Sequence, residues 1–249
     1  MCTAFVRRGK DIISGFNMDI NLEAFEYDIY ANSKEFFVGL KTPLQSNVVI
    51  KIHGVNSKGN FANQLNNMDF YKAPYKESAN STSIDRIVDD YISDKITFND
   101  IKTISETKEI TQIPNGAIDM PTIAFHSLIA DNEGRIMLLE PGNGYAVIKE
   151  KYAVLSNFSI LELTNDLTSE KYGYYGKDRY DIVMECLRNS TDDFDVLDGL
   201  SILNKVKQVG NWATRVSFVY SRNENSVYYC TDGKFDDIKK HSFKALEHL

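Results

Sequence analysis

The sequence predicts an α+β layered sandwich. Three observations carry the prediction. Apolar residues alternate with period two in many short runs. Two blocks of helical periodicity interrupt those runs. The connections between most runs are too short for a parallel crossover, so hairpins dominate. The resulting order is strands, two helices, strands, two helices, strands. Helices segregated in this way favour stacked sheets with helices outside over a doubly wound parallel sheet.

Each element has its own signal. CTAFVRR (2–8) and DIISGFNMD (11–19) read as strands joined by a tight turn at Gly9-Lys10. EFFVGLK (35–41) and NVVIKIHGV (47–55) read as two more, and after the turn at 56–59 NFANQLNN (60–67) reads as another. Residues 68–83 are polar and irregular, hold Pro74 and aromatics Phe70, Tyr71 and Tyr75, and follow Phe61; loops of this length often frame a site. Ile84, Ile87, Val88, Tyr91 and Ile92 recur at helical spacing, and Thr82 stands three before Asp85 as in a capping box. A short helix is predicted near Phe98–Ser105. PTIAFHSLIAD (121–131), RIMLLEPG (135–142) and YAVIKEKYAVLSN (145–157) return to strand patterning. DRYDIVMECLRNS (178–190) and FDVLDGLSILNKVKQV (194–209) are helical, and ATRVSFVYS (213–221) with SVYYCTDG (226–233) closes the chain as a hairpin. No linker or repeat divides the 249 residues, so a single domain over 1–249 is expected.

Composition narrows the function. Hydrophobic residues are 43% and charged residues 25%, the balance of a soluble protein with a substantial core. A net charge of −7 argues against a nucleic-acid partner. No run approaches the ~20 apolar residues that span a bilayer, and the first fifteen residues lack a signal-peptide core. Three widely spaced cysteines, Cys2, Cys186 and Cys230, suit neither a disulfide framework nor a zinc site, which points to a reducing cytoplasm.

Cys2 is the residue with chemistry. If Met1 is removed, Cys2 carries a thiol and a free α-amine, whose reference pKa values of about 8.5 and 7.7–8.0 let the amine act as the thiol's own base. The thiolate then attacks a carbonyl, and the oxyanion needs amide donors. Asn17, Asn66, Asn67 and Asn157 are candidates for that role. The bland reading is a small residue on a strand.

Several separated stretches resemble one family, the choloylglycine hydrolases and penicillin V acylases, which are N-terminal nucleophile hydrolases. MCT (1–3) looks like the family's start. GFNMD (15–19) looks like its G-R-N-x-D, and NSKGNFANQLNN (56–67) like the turn and strand that end in an oxyanion asparagine. VLSNFS (154–159) is similar to its V-L-T-N-S, Asp178-Arg179 to its D-R-F, and VSFVYSRNENSVYYC to its closing hairpin. The likeness runs in order from residue 1 to about 240.

The resemblance implies a four-layer αββα sandwich of two antiparallel sheets flanked by helices. It implies Cys2 as nucleophile and Asp19 bonding the amine and thiol. Asn66 would serve through its backbone N–H and Asn157 through its side-chain amide. Arg179 would be a fixed cation that lowers the thiol pKa and bonds Asp19 or the amine. No metal or cofactor is implied. The activity implied is hydrolysis of a linear N-acyl amide, a small molecule pairing an apolar acyl group with a small polar amine. Two other readings stay open: an acyltransferase on the same scaffold, and a non-catalytic relative. The chain departs from the family at Phe16, which replaces the motif's arginine, and in the short stretch between Asn157 and Arg179, where longer members carry an oligomerisation loop. A homo-oligomer is therefore compatible with the sequence but not specified by it. The bland readings are a turn residue for Asp19 and a surface charge for Arg179. His53 and His126 read as structural, Cys186 and Cys230 as buried and inert. The run Tyr172–Gly176 reads as an aromatic loop that lines an acyl pocket.

Overall fold

The computed structural model describes residues 2–41, 49–67, 73–113, 124–163 and 175–243. Strands β1 (Cys2–Arg8) and β2 (Ile12–Asp19) form the expected first hairpin, and β3 (Glu26–Ala31), β4 (Glu35–Lys41) and β5 (Ile50–Asn56) follow. The short β6 (Phe61–Asn63) and β7 (Leu65–Asn66) lead to β8 (Ser81–Ser83), α1 (Ile84–Ile92), α2 (Phe98–Thr107) and β9 (Glu109–Thr111). Then come β10 (Phe125–Ala130), β11 (Ile136–Glu140), β12 (Gly144–Ile148), β13 (Tyr152–Leu155) and α3 (Ile160–Leu163). Helices α4 (Lys177–Arg188) and α5 (Val196–Lys205) precede β14 (Thr214–Ser221), β15 (Ser226–Thr231) and β16 (Lys239–Ser242).

Among the described residues the strands make two large antiparallel sheets. One has the order β13-β1-β2-β14-β15-β16; the other runs β12-β11-β10-β6-β5-β4-β3, with β7 paired to β10. In β1 the period-two alternation sends Cys2, Ala4 and Val6 to the core between the sheets, and Phe5 to a second core under α4 and α5. Both faces of β1 are covered, so it reads as a nearly continuous buried run. Phe16 and Phe218 from the first sheet meet Phe36 and Phe61 from the second, with Phe218 centroids 5.5–6.1 Å from the other three. The apolar face of α1 and residues Phe98 and Ile101 of α2 cover the other side. The α+β sandwich of two antiparallel sheets between helices is the architecture expected from the sequence.

Local departures have physical reasons. The stretch 145–157 is two strands, not one: the charged corner Lys149-Glu150-Lys151 breaks it, and β12 and β13 join different sheets. Thr82 makes no capping box, because it lies in β8 and pairs in parallel with Ile110 of β9; the N-cap of α1 is Ser83, without a side-chain bond. The box forms instead at α2, between Thr97 and Asp100. Strands β3 and β16 were not anticipated, since both are polar and partly exposed at sheet edges. Cys230 is buried as expected, but Cys186 is only partly covered, with Lys205 Nζ 3.8 Å from its sulfur. Residues 68–72 of the predicted loop and 172–174 of the aromatic run lie outside the described residues.

Candidate active site

Four strand ends and one helix converge at one end of the first sheet. Cys2 opens β1, and its partner on β2 is Met18, which puts Asp19 one step past it. On the other side Ala4 pairs with Leu155. Carried two steps further, that register brings Ser156 and Asn157 beside Thr3 and Cys2. The ladder between β14 and β2 shifts at Thr214/Val216 and leaves Thr214 opposite Asp19. From the second sheet comes Asn66. Asn67 N–H makes the ladder bond to Ala124 O, so Asn66 occupies the non-hydrogen-bonded position opposite Phe125 and turns its backbone groups away from β10.

Asn157 ties these pieces together. Its Oδ1 accepts from Cys2 N–H at 2.7 Å and from Arg179 Nη2 at 2.9 Å, while its Nδ2 donates to Asn66 O at 2.6 Å. Two donors on one side and a carbonyl on the other leave only one orientation for the amide. Arg179 Nη1 donates to Cys2 O at 2.9 Å, Thr3 Oγ1 at 3.0 Å and Asp19 Oδ2 at 3.1 Å. The other Asp19 oxygen accepts from Thr214 Oγ1 at 2.6 Å. Arg179 and Asp19 are both fully buried, and the pair is a buried ion pair with additional bonds on each partner.

Arg179 stands in the first turn of α4, where the helix dipole disfavours a cation by about 0.3–1 kcal/mol. Its four oxygen acceptors offset that cost. Room for the guanidinium comes from Gly176, the N-cap of α4, at φ 80°. A Cβ there would lie 2.4 Å from both Arg179 Nη2 and Ser156 Oγ. Gly176→Ala should therefore displace the guanidinium and add about 1–2 kcal/mol of left-handed backbone strain, read as a lowered melting temperature. An unchanged melt would contradict the packing described.

Burial is the largest influence on the Cys2 thiol and pushes it up, with Asp19 adding to the rise. The chain's terminal ammonium, carried by Met1 and not by Cys2, the Asp19 backbone N–H on the sulfur and Arg179 pull it down without overcoming burial. The expected lowering by Arg179 is thus present but not dominant. Burial also lifts the Asp19 carboxyl from 3.8 to about 7, against the terminal amine, Arg179 and the Thr214 hydroxyl. The folded state holds this proton more tightly than the unfolded chain. Its stabilising contribution is therefore full below the unfolded value and is lost as pH rises through about 7. Unfolding measured from about pH 4 to about pH 8 should show a decline that Asp19→Asn lacks; parallel curves would contradict the assignment.

Cys2, Asp19, Asn66, Asn157 and Arg179 therefore come together. Asn17 does not: its Nδ2 donates to Leu203 O under α5, on the far face of the sheet. Neither histidine is directed at Cys2. His126 Nε2 bonds Ser156 O at 2.7 Å, and His53 stacks on Phe16 with centroids 3.4 Å apart. Burial holds His53 far below its ordinary value, so the Phe16–His53 stack is uncharged. Thr3, Thr214 and Ser156 escaped the sequence reading. Thr3 sits beside Cys2 and Ser156 beside Asn157, and that adjacency was the one signal that could have found them.

The fold has counterparts among solved structures. The C2A mutant of conjugated bile acid hydrolase from Clostridium perfringens superposes with a TM-score of 0.69 at 16% identity, over 97% of this chain and 92% of that one. Penicillin V acylase from Agrobacterium tumefaciens gives 0.65 at 14% identity, over 92% and 83%. This is the N-terminal nucleophile hydrolase fold. The Caenorhabditis elegans ortholog of N-acylethanolamine-hydrolyzing acid amidase shares it more distantly, at 0.51 and 17% identity over 89% and 93%. No protein-family model and no curated protein sequence matches the chain. In the nucleophile-hydrolase fold as this chain builds it, the start of β1 lies where both sheets and α4 meet. No helix among the described residues is long and apolar enough to cross a membrane.

Proposed function

We propose that the protein is a cysteine N-terminal nucleophile amidohydrolase that cleaves linear N-acyl amides through a thioester. The observation that carries the reading is Asn157: one side chain reaches the Cys2 nitrogen, the Arg179 guanidinium and the Asn66 carbonyl. Removal of Met1 makes that nitrogen the chain's α-amine. The amine takes the thiol proton, and sulfur attacks the amide carbonyl. Asn157 Nδ2 has a second hydrogen beyond the one given to Asn66 O, and with the Asn66 backbone N–H it faces the oxyanion. The α-ammonium returns its proton to the leaving amine. Water then attacks the thioester, releasing the acid and restoring the thiol. Asn157 Oδ1 and Asp19 hold the amine and Arg179 in register.

The substrate class is inferred from the apolar surroundings of Cys2. Cys2 shares the inter-sheet face with Met18 and Phe16, and the nearby aromatic stack is neutral. These surroundings favour an uncharged apolar acyl group over a charged one. The names of the neighbours, conjugated bile acid hydrolase, penicillin V acylase and N-acylethanolamine-hydrolyzing acid amidase, point to substrates in which an acyl group is bonded to nitrogen. The three free cysteines support a cytoplasmic setting.

The test is amine release from penicillin V, N-acyl glycines, N-acyl homoserine lactones and glycine-conjugated bile acids. Release from amides with neutral apolar acyl groups is expected, with free acid as co-product. Acyl transfer to an added amine acceptor, with little free acid formed in its absence, would favour an acyltransferase. No release from any of the four classes would overturn the reading.

A further inference from the structure

Behind the site lies a buried histidine–carboxylate pair that the proposed chemistry does not use. The ladder pairs Ser127 with Leu139, and one step further it sets His126 of β10 across from Glu140 of β11. His126 Nδ1 is 3.5 Å from Glu140 Oε1, longer than a hydrogen bond and an ion-pair distance only when the ring is protonated, with both side chains almost fully buried. Burial pushes the Glu140 carboxyl up, but the His126 contact, the Ser159 hydroxyl and the Ile160 N–H outweigh it and hold the group below its ordinary value. A charge in this setting is costly unless it is paired and bonded on all sides.

The bonds of the pair go to one short segment. His126 Nε2 donates to Ser156 O at 2.7 Å. Glu140 Oε1 accepts from Ile160 N at 2.8 Å, and Glu140 Oε2 accepts from the Ser159 hydroxyl and from Asn143 Nδ2. Asn157 sits between these anchors, gripped at 156 from one side and at 159–160 from the other. His126 also pairs along the ladder with Leu65, the residue before Asn66. It thus touches the residue that precedes each of the two asparagines assigned to the oxyanion.

We propose that His126 and Glu140 form a positioning pair that sets the Asn157 amide against Cys2 and Asn66. The proposal rests on the amidohydrolase reading for its kinetic consequence, though not for its structural one. Neither residue touches substrate. The pair acts through the Ser156 carbonyl and the 159–160 backbone. A displacement of the amide by about 1 Å is enough to cost up to ~10²-fold in rate.

Three proteins test it: wild type, His126→Phe, which fills the space without a donor, and His126→Gln, which keeps an N–H directed at Ser156 O. With penicillin V as substrate, His126→Phe should lower kcat about 10- to 100-fold and leave KM within about threefold. His126→Gln should restore most of the loss. The second readout is the Asn157 side-chain amide resonance in ¹⁵N-labelled protein, assigned with Asn157→Ala. It should keep its wild-type position in His126→Gln and shift or broaden in His126→Phe. Equal loss in both variants, or an undisturbed resonance in His126→Phe, overturns the proposal. If wild type leaves penicillin V intact, the kinetic arm moves to whichever of the other three classes it cleaves; absence of turnover with all four counts against the amidohydrolase reading instead, and the resonance then decides the positioning role by itself.

Discussion

Replacing Cys2 with alanine is expected to remove turnover while leaving the fold intact. The two effects separate because the residue has two kinds of contact. Its backbone N–H and C=O hold Asn157 and Arg179, and alanine keeps both. Only the sulfur is lost, from a residue already packed between the sheets beside Met18 and Ala4. The stability cost of this small truncation should stay within about 1 kcal/mol. The kinetic cost is the whole covalent pathway. In nucleophile enzymes such losses reach at least ~10⁴-fold, because the remaining groups stabilise an attack that no longer occurs. Parallel thermal melts and amide-hydrolysis assays check both halves. Residual activity above a hundredth of wild type, in a variant that melts normally, would mean that another group attacks.

Arg179→Met is expected to show the opposite pattern, with a large loss of stability as well as activity. Methionine fills similar space but leaves Asp19 buried without its cation, and removes bonds to Cys2 O, Thr3 Oγ1 and Asn157 Oδ1. Breaking one side of a buried ion pair costs about 3–5 kcal/mol. The measurement belongs near pH 8, above the value of about 7 for Asp19 in the intact pair; losing Arg179, which lowers that value, pushes it higher, so part of the penalty is then met by binding a proton. Adding Asp19→Asn to Arg179→Met should recover part of the loss, since no isolated charge remains. Denaturant midpoints of the two single variants and the double variant decide this. An Arg179→Met midpoint within error of wild type would show that the guanidinium carries no structural weight.

Much of this site was legible before the fold was known, and the reason lies in where its residues fall along the chain. Cys2, Asp19 and Asn157 sit at or just beyond strand ends that period-two patterning already marks. Antiparallel register then brings them together with little freedom. Arg179 stands at the start of DRYDIVMECLRNS, a run whose helical spacing alone puts a cation where the helix dipole disfavours it. What escaped notice was whatever depends on the register of neighbouring strands or on which face a strand turns to the site. His126 and Glu140 lie inside buried runs, IAFHSL and RIMLLE, where local pattern marks them only as polar residues out of place. Their mutual approach is a product of the β10–β11 register. Asn17 looked as good an amide donor as Asn66 by residue type. The alternation of β2 sends it to the helix face, a parity that the sequence specifies only once the direction of Cys2 is known. Edge strands β3 and β16 were missed because their burial pattern is mixed, with little apolar contrast to read.

The central claim is that one residue supplies both the sulfur and the amine of the reaction. Intact-mass and peptide-mapping spectrometry of the purified protein, acid-quenched seconds after mixing with penicillin V or an N-acyl glycine, addresses it most directly. The account predicts a chain lacking Met1 with the acyl group in thioester linkage on Cys2, the adduct decaying as free acid accumulates. A chain that retains Met1 and carries no acyl mass on Cys2 with either compound would contradict it.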